Sequence, residues 1–177
     1  MLKSILFLII AGLAAFGTYV ALQPAVGTVT RSATLAAPPD AIFAHVNELK
    51  KWEGWSPWAK IDPNAKMTYT GPAAGAGASF SWDGNSEVGS GTLTITDSKP
   101  GAHVKYNLDF LKPFASKSTA EIVMKPVGSG TNVTRSMTGE RPFMARAMCI
   151  LFNADQMVAD MFDKGLANLG KVAGGGA

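Results

Sequence analysis

The sequence predicts an α+β domain, with a seven-stranded antiparallel sheet curled around a long C-terminal helix. From Met67 to Gly139 apolar residues recur with a period of two, and turn residues interrupt them about every ten positions. Such short connections fit an antiparallel meander rather than parallel βαβ units. From Phe143 to Val172 the period becomes helical. Winding at about 100° per residue gathers Phe143, Ala147, Leu151, Ala154, Val158, Met161, Phe162, Leu169 and Val172 on one side. Arg146, Asn153, Gln156, Asp160, Asp163, Lys164 and Lys171 gather on the other. The apolar arc, widened by Met148 and Leu166 and interrupted by Asp155, covers nearly half the circumference. One sheet does not need so wide an arc, so a second apolar surface or a cavity is expected beside it.

In chain order, Thr28 to Leu35 alternates as a strand, with Val29, Arg31, Ala33 and Leu35 on one face. Ala37-Pro38-Pro39-Asp40 opens a helix that buries Ile42, Phe43, Val46 and Leu49, with His45 at its flank. Lys51 to Trp58 then holds three tryptophans, Trp52, Trp55 and Trp58. At least one should plug an end of the sheet and another should rim a pocket, since each joins a large apolar surface to one N–H donor. The meander follows as Met67–Thr70, Ala78–Trp82, Val88–Thr96, His103–Leu111, Ser116–Lys125 and Thr131–Gly139. Gly89 and Gly91 mark a bulge. Pro142 starts the last helix, which at about 1.5 Å per residue would be roughly 45 Å long, and Gly174-Gly175-Gly176 ends it.

Ahead of the domain, Ile5 to Leu22 carries no charge and reaches ~27 Å as a helix, enough to cross the hydrocarbon core. An uncleaved transmembrane anchor is the expected reading, and a cleaved signal peptide competes with it. Ala15-Phe16-Gly17 is an early cleavage site, inside the apolar run. Lys3 precedes the run and Arg31 follows it at a distance, so the terminus should stay cytoplasmic with the domain across the membrane. In a bacterial cell that is the periplasm. The expected organisation is an anchor or signal segment over 1–22, a linker over 23–27, the domain over 28–172 and a flexible tail over 173–177.

Composition narrows the function. Of the 177 residues, 47% are hydrophobic and 16% charged, which argues against disorder. The single cysteine, Cys149, excludes an intrachain disulfide and a cysteine zinc site, and its apolar neighbours point to a buried, inert thiol. The net charge of +3 comes from lysines dispersed along strands, without the basic patch and stacking aromatics of a nucleic-acid interface. Two histidines in different contexts make no metal site, and no cofactor is expected. The glycines from Gly71 to Gly77 join two strands rather than open a helix, so they are not a phosphate loop.

The chain resembles the START-like, pollen-allergen-like superfamily (SRPBCC), in particular its polyketide cyclase/dehydrase and lipid-transport group. The resemblance runs from about Val29 to Leu169. It is carried by Arg31-Ser32, Ala36-Ala37-Pro38, Ile42 to Asn47, Trp52 to Trp58, Gly84-Asn85 with Val88-Gly89 and Gly91, Leu108 to Phe114, and Gly165 to Leu169. It implies a helix-grip fold with a hydrophobic pocket, whose members bind lipids, sterols or polyketides and only sometimes catalyse. The chain departs from the pattern at Arg135, where an apolar or aromatic residue is expected.

Alternation along the strands directs Phe80, Trp82, Leu93, Ile95, Tyr106, Leu108, Phe110, Ile122 and Met137 inward, opposite Val158 and Phe162 of the last helix. Trp55 and Trp58 would stand at the open end. The groups able to act chemically are Arg135, Asp155 and the Tyr106 hydroxyl. Arg135 and Asp155 either serve a ligand, pair with each other, or lie in water at the mouth. The leading expectation is a membrane-tethered module that holds a hydrophobic or amphipathic small molecule. A cyclase/dehydratase-like enzyme and an envelope scaffold without ligand are the alternatives.

Overall fold

The computed structural model describes residues 2–175. Met1 of the leader, and Gly176 and Ala177 of the expected tail, lie outside them. Helix α1 (Leu2–Ala21) leads into β1 (Val26–Leu35) and α2 (Pro39–Val46). The tryptophan segment makes short turns, Leu49–Lys51 and Pro57–Lys60, on either side of α3 (Trp52–Trp55). Strands β2 (Lys66–Thr70), β3 (Ser79–Asp83), β4 (Ser90–Lys99), β5 (His103–Lys112), β6 (Ser116–Val127) and β7 (Gly130–Glu140) follow. The chain closes with α4 (Phe143–Phe152) and α5 (Ala154–Ala173).

The seven strands form one sheet in the order β1-β7-β6-β5-β4-β3-β2, antiparallel throughout. Only β1 leaves sequence order, pairing with β7 from Val26↔Glu140 to Leu35↔Thr131. The expected bulge falls between Ser90 and Gly91. Gly91 is needed there because the Trp82 ring lies over it, 2.5 Å from where a Cβ would stand. Trp82 is held in that position by donating from Nε1 to the Val88 carbonyl at 3.1 Å.

The single helix expected over 143–172 is two helices. Asn153, with φ 51° and ψ 47°, takes the left-handed conformation between them. Asparagine is among the few residues that tolerate it. The break separates two apolar surfaces that a helical wheel merges. Helix α5 lays Phe162, Leu166 and Leu169 on the sheet, whereas α4 turns away to pack against α1. Asp155 therefore does not interrupt a core face. It opens α5, where a carboxylate meets the free N–H groups of a helix start.

The core fills the concave side of the sheet in two parts. The larger contains Ile42, Val46, Trp52, Trp55, Leu93, Ile95, Tyr106, Ile122, Val133, Leu166 and Leu169. The smaller contains Val29, Ala159 and Phe162, with Trp58, Met137 and Val158 packed on it. Arg135 projects between Val133 of the first and Met137 of the second.

Candidate functional site: a caged arginine in the helix grip

Strand alternation aims Arg135 of β7 at the helix layer, and it is 6% exposed. Its guanidinium carbon lies 4.4 Å from the ring centre of Phe162, 5.1 Å from Trp58, 5.5 Å from Trp55 and 5.7 Å from Trp52. Four aromatic walls surround one cation. Such contacts stabilise a desolvated charge by about 2 kcal/mol or more, but they leave its N–H donors without acceptors. Among the described residues Arg135 has no ion pair, and its buried Nη1 has no hydrogen-bond partner. Burial pulls its pKa down to about 10, so it remains a cation at neutral pH.

The cage depends on local sequence. Pro57 follows α3 and begins the next turn, and Trp55 and Trp58 on its two sides in sequence both reach the guanidinium. Trp52 and Trp55 pack at 4.9 Å, and their N–H groups donate to the Val46 and His45 carbonyls at 3.1 and 3.2 Å. Gly165 of α5 completes the enclosure. A Cβ there would meet Arg135 Nη1 at 3.2 Å and Pro57 Cδ at 3.4 Å. Beneath the cage Tyr106 donates to the Val46 carbonyl at 3.0 Å, and burial raises its pKa. A neutral phenol committed to a backbone carbonyl cannot offset the charge.

Of the residues expected to line the pocket, Trp55, Leu93, Ile95, Tyr106, Ile122, Arg135 and Phe162 are buried. Trp58, Phe80, Trp82, Leu108, Phe110, Met137 and Val158 are half-buried. Asp155 stands apart from all of them. Its Oδ1 accepts from Arg141 Nη2 at 2.6 Å and from the Cys149 thiol at 3.7 Å. Of the alternatives, the pairing of Arg135 with Asp155 is not formed: Asp155 pairs with Arg141, because α5 begins at the outer end of the domain. Nor does Arg135 lie in water. The thiol of Cys149, pushed up by burial and then by Asp155, stays protonated.

The interior is packed rather than open. Two surface clefts accompany it: about 380 Å³ between Thr28–Arg31 and the start of α5, and about 260 Å³ between Leu49, Tyr69 and the Gly71–Ala73 turn. Neither reaches Arg135. Burial is uneven, however. Along the row Phe110–Gly91–Trp82, the two aromatic side chains and the neighbouring Leu108 are only half-buried, at the end of the sheet where β1 begins. Of the four cage rings, Trp58 alone is half-exposed.

Sequence reasoning did not single out Trp52 or Gly165 as parts of this site. The tryptophan spacing held a signal for the first. For the second the signal was a glycine three residues after Phe162, on the same face of the helix.

Residues 26–174 match the family described as polyketide cyclase / dehydrase and lipid transport. The chain belongs to this family. No curated protein matches it. The fold agrees with solved structures of low identity. Protein MLL2253 from Mesorhizobium loti is 15% identical, with a TM-score of 0.61 over 82% of this chain and 96% of that one. Ara h 8.0201 is 14% identical, with a TM-score of 0.55 over 84% and 99%. The di-domain ARO/CYC StfQ, from the steffimycin biosynthetic pathway, is 16% identical, with a TM-score of 0.59 over 84% of this chain and 49% of that one. These neighbours share the fold, and the family match over residues 26–174 places the chain in the SRPBCC superfamily.

Proposed function

We propose that the protein is a membrane-tethered binding module, and that Arg135 holds the anionic end of an amphipathic ligand whose apolar body lies along the half-buried strand rows. The carrying observation is a buried guanidinium with an unpartnered Nη1 and no carboxylate. A charge left so is costly in the absence of a partner, and its fork geometry matches a carboxylate or phosphate. Trp58, half-exposed, is the wall that moves when the ligand enters, and Leu108, Phe110 and Trp82 receive its chain. Family membership supports ligand binding, and the 20-residue apolar α1 supports the tether. Lys3 before the span sends the domain across the membrane, which in a bacterial cell is the periplasmic side.

The test uses the cage as its own reporter. Full-length protein in detergent is stripped of bound lipid and titrated with nitroxide-labelled fatty acid, phospholipid and isoprenoid phosphate, following tryptophan quenching. Replacing Arg135 with Met should weaken binding of the anionic ligand ten- to a hundred-fold, the equivalent of about 1.5–3 kcal/mol for a charged hydrogen bond. Equal affinity in parent and variant would leave Arg135 structural. Failure of every ligand to quench would favour the scaffold reading.

A further inference from the structure

We propose that α4 is a second membrane-contacting element, lying in the interface of the bilayer that α1 crosses and seating the half-buried end of the grip on lipid. This rests on the reading of α1 as a membrane span. At 10 residues, α4 is about 15 Å long, too short to cross a bilayer. Yet it is too apolar for a helix in water. Phe143, Met144, Met148, Leu151 and Phe152 are exposed, the last two by 60% and 59%. No other part of the described chain outside α1 exposes so continuous an apolar run, and such a surface marks an interface.

The occupant is a bilayer because of where α4 is attached. Its one charged residue, Arg146, is half-buried and engaged by the end of α1. Arg146 Nη1 donates to the Ala21 carbonyl at 2.8 Å and the Gln23 carbonyl at 3.1 Å, satisfying acceptors left free where α1 ends. Helix α4 packs on α1, whose Val20 is fully buried and whose Phe16 and Gly17 are half-buried. A 20-residue helix is ~30 Å long and the hydrocarbon core about as thick, so residues 16–20 stand at its outer boundary. A helix covering them stands there too.

The sheet meets the same plane. Ser118 of β6 pairs with Gly139 and Val26 with Glu140, so the β5–β6 tip is at the end where α1 arrives. That tip exposes Leu111 and Phe114. The half-buried Leu108–Phe110 row thus opens toward lipid. A ligand could pass from bilayer to grip without crossing water.

The experiment uses the full-length chain in vesicles of phosphatidylcholine and phosphatidylglycerol, with Cys149→Ser as background. Single cysteines carrying an environment-sensitive fluorophore replace Leu151, Phe152, Ile9 within α1, or Val127 at the far end of the sheet. Quenching by brominated lipid reads contact with acyl chains, and circular dichroism confirms that each variant is folded. Strong quenching and blue-shifted emission at Ile9, Leu151 and Phe152, with neither at Val127, is the expected result. Quenching at Ile9 but none at Leu151 and Phe152 would overturn the role of α4 and leave the tether intact. No quenching at Ile9 would remove the tether and this inference with it.

Discussion

The guanidinium carbon of Arg135 stands 4.4 Å from the ring centre of Phe162, and among the described residues no acid pairs with it. Strand and helix meet at this pair, and Arg135 lies between the two parts of the core. A methionine would fill a similar volume without a charge to desolvate. Arg135→Met should therefore raise the thermal midpoint of the ligand-free protein, by the equivalent of about 1–2 kcal/mol, even as it weakens ligand binding. Thermal denaturation of ligand-stripped parent and variant decides this. A lower midpoint for the variant would mean that the aromatic cage more than offsets the desolvation of Arg135.

Gly165 sets the size of the cage. A valine there drives its side chain into Arg135 Nη1, Pro57 and the Trp55 ring. Overpacking of this kind costs about 1–3 kcal/mol. Urea unfolding of Gly165→Val should show a lower midpoint, with Gly165→Ala less affected. Equal midpoints for all three proteins would show that α5 shifts freely at this contact.

Two of the cage tryptophans should separate stability from binding. Trp55 is fully buried, and Trp55→Ala should cost about 3–5 kcal/mol. Trp58 is half-buried, so Trp58→Ala should cost clearly less while weakening capture of an amphipathic ligand. Denaturant melts and ligand titrations of both variants are the measurements. Similar losses of stability in the two would contradict the view of Trp58 as the movable wall.

His45 should make the fold sensitive to mild acid. Burial, and then the charge of Lys51, lower its pKa from 6.5, and its carbonyl accepts the Trp55 N–H. Below 6.5 the unfolded chain binds the proton more readily than the folded one. The His45 contribution is therefore present above 6.5 and lost as pH falls through the lowered folded value. Thermal midpoints measured between neutral and mildly acidic pH should fall in the parent and fall less in His45→Gln. Parallel curves would assign the acid sensitivity to other groups.

Local patterns in the sequence were enough to determine the sheet. Alternation and turn residues act over a few positions, so the six meander strands, the Gly91 bulge and the inward set from Phe80 to Met137 could be read directly. The same holds for the apolar leader, whose length and lack of charge are local properties. The pairing of β1 with β7 is a long-range closure that periodicity does not specify. Three features only the tertiary structure decided. The break at Asn153 depends on α4 and α5 having different neighbours, α1 for one and the sheet for the other, which a helical wheel cannot distinguish. The partner of Asp155 is Arg141, because that break moves Asp155 to the outer end of α5. The isolation of Arg135 is a property of the assembled cage. Four rings from three segments, with Gly165 between them, surround the cation, and whether a buried charge finds a counter-ion depends on distances that exist only once the chain has folded.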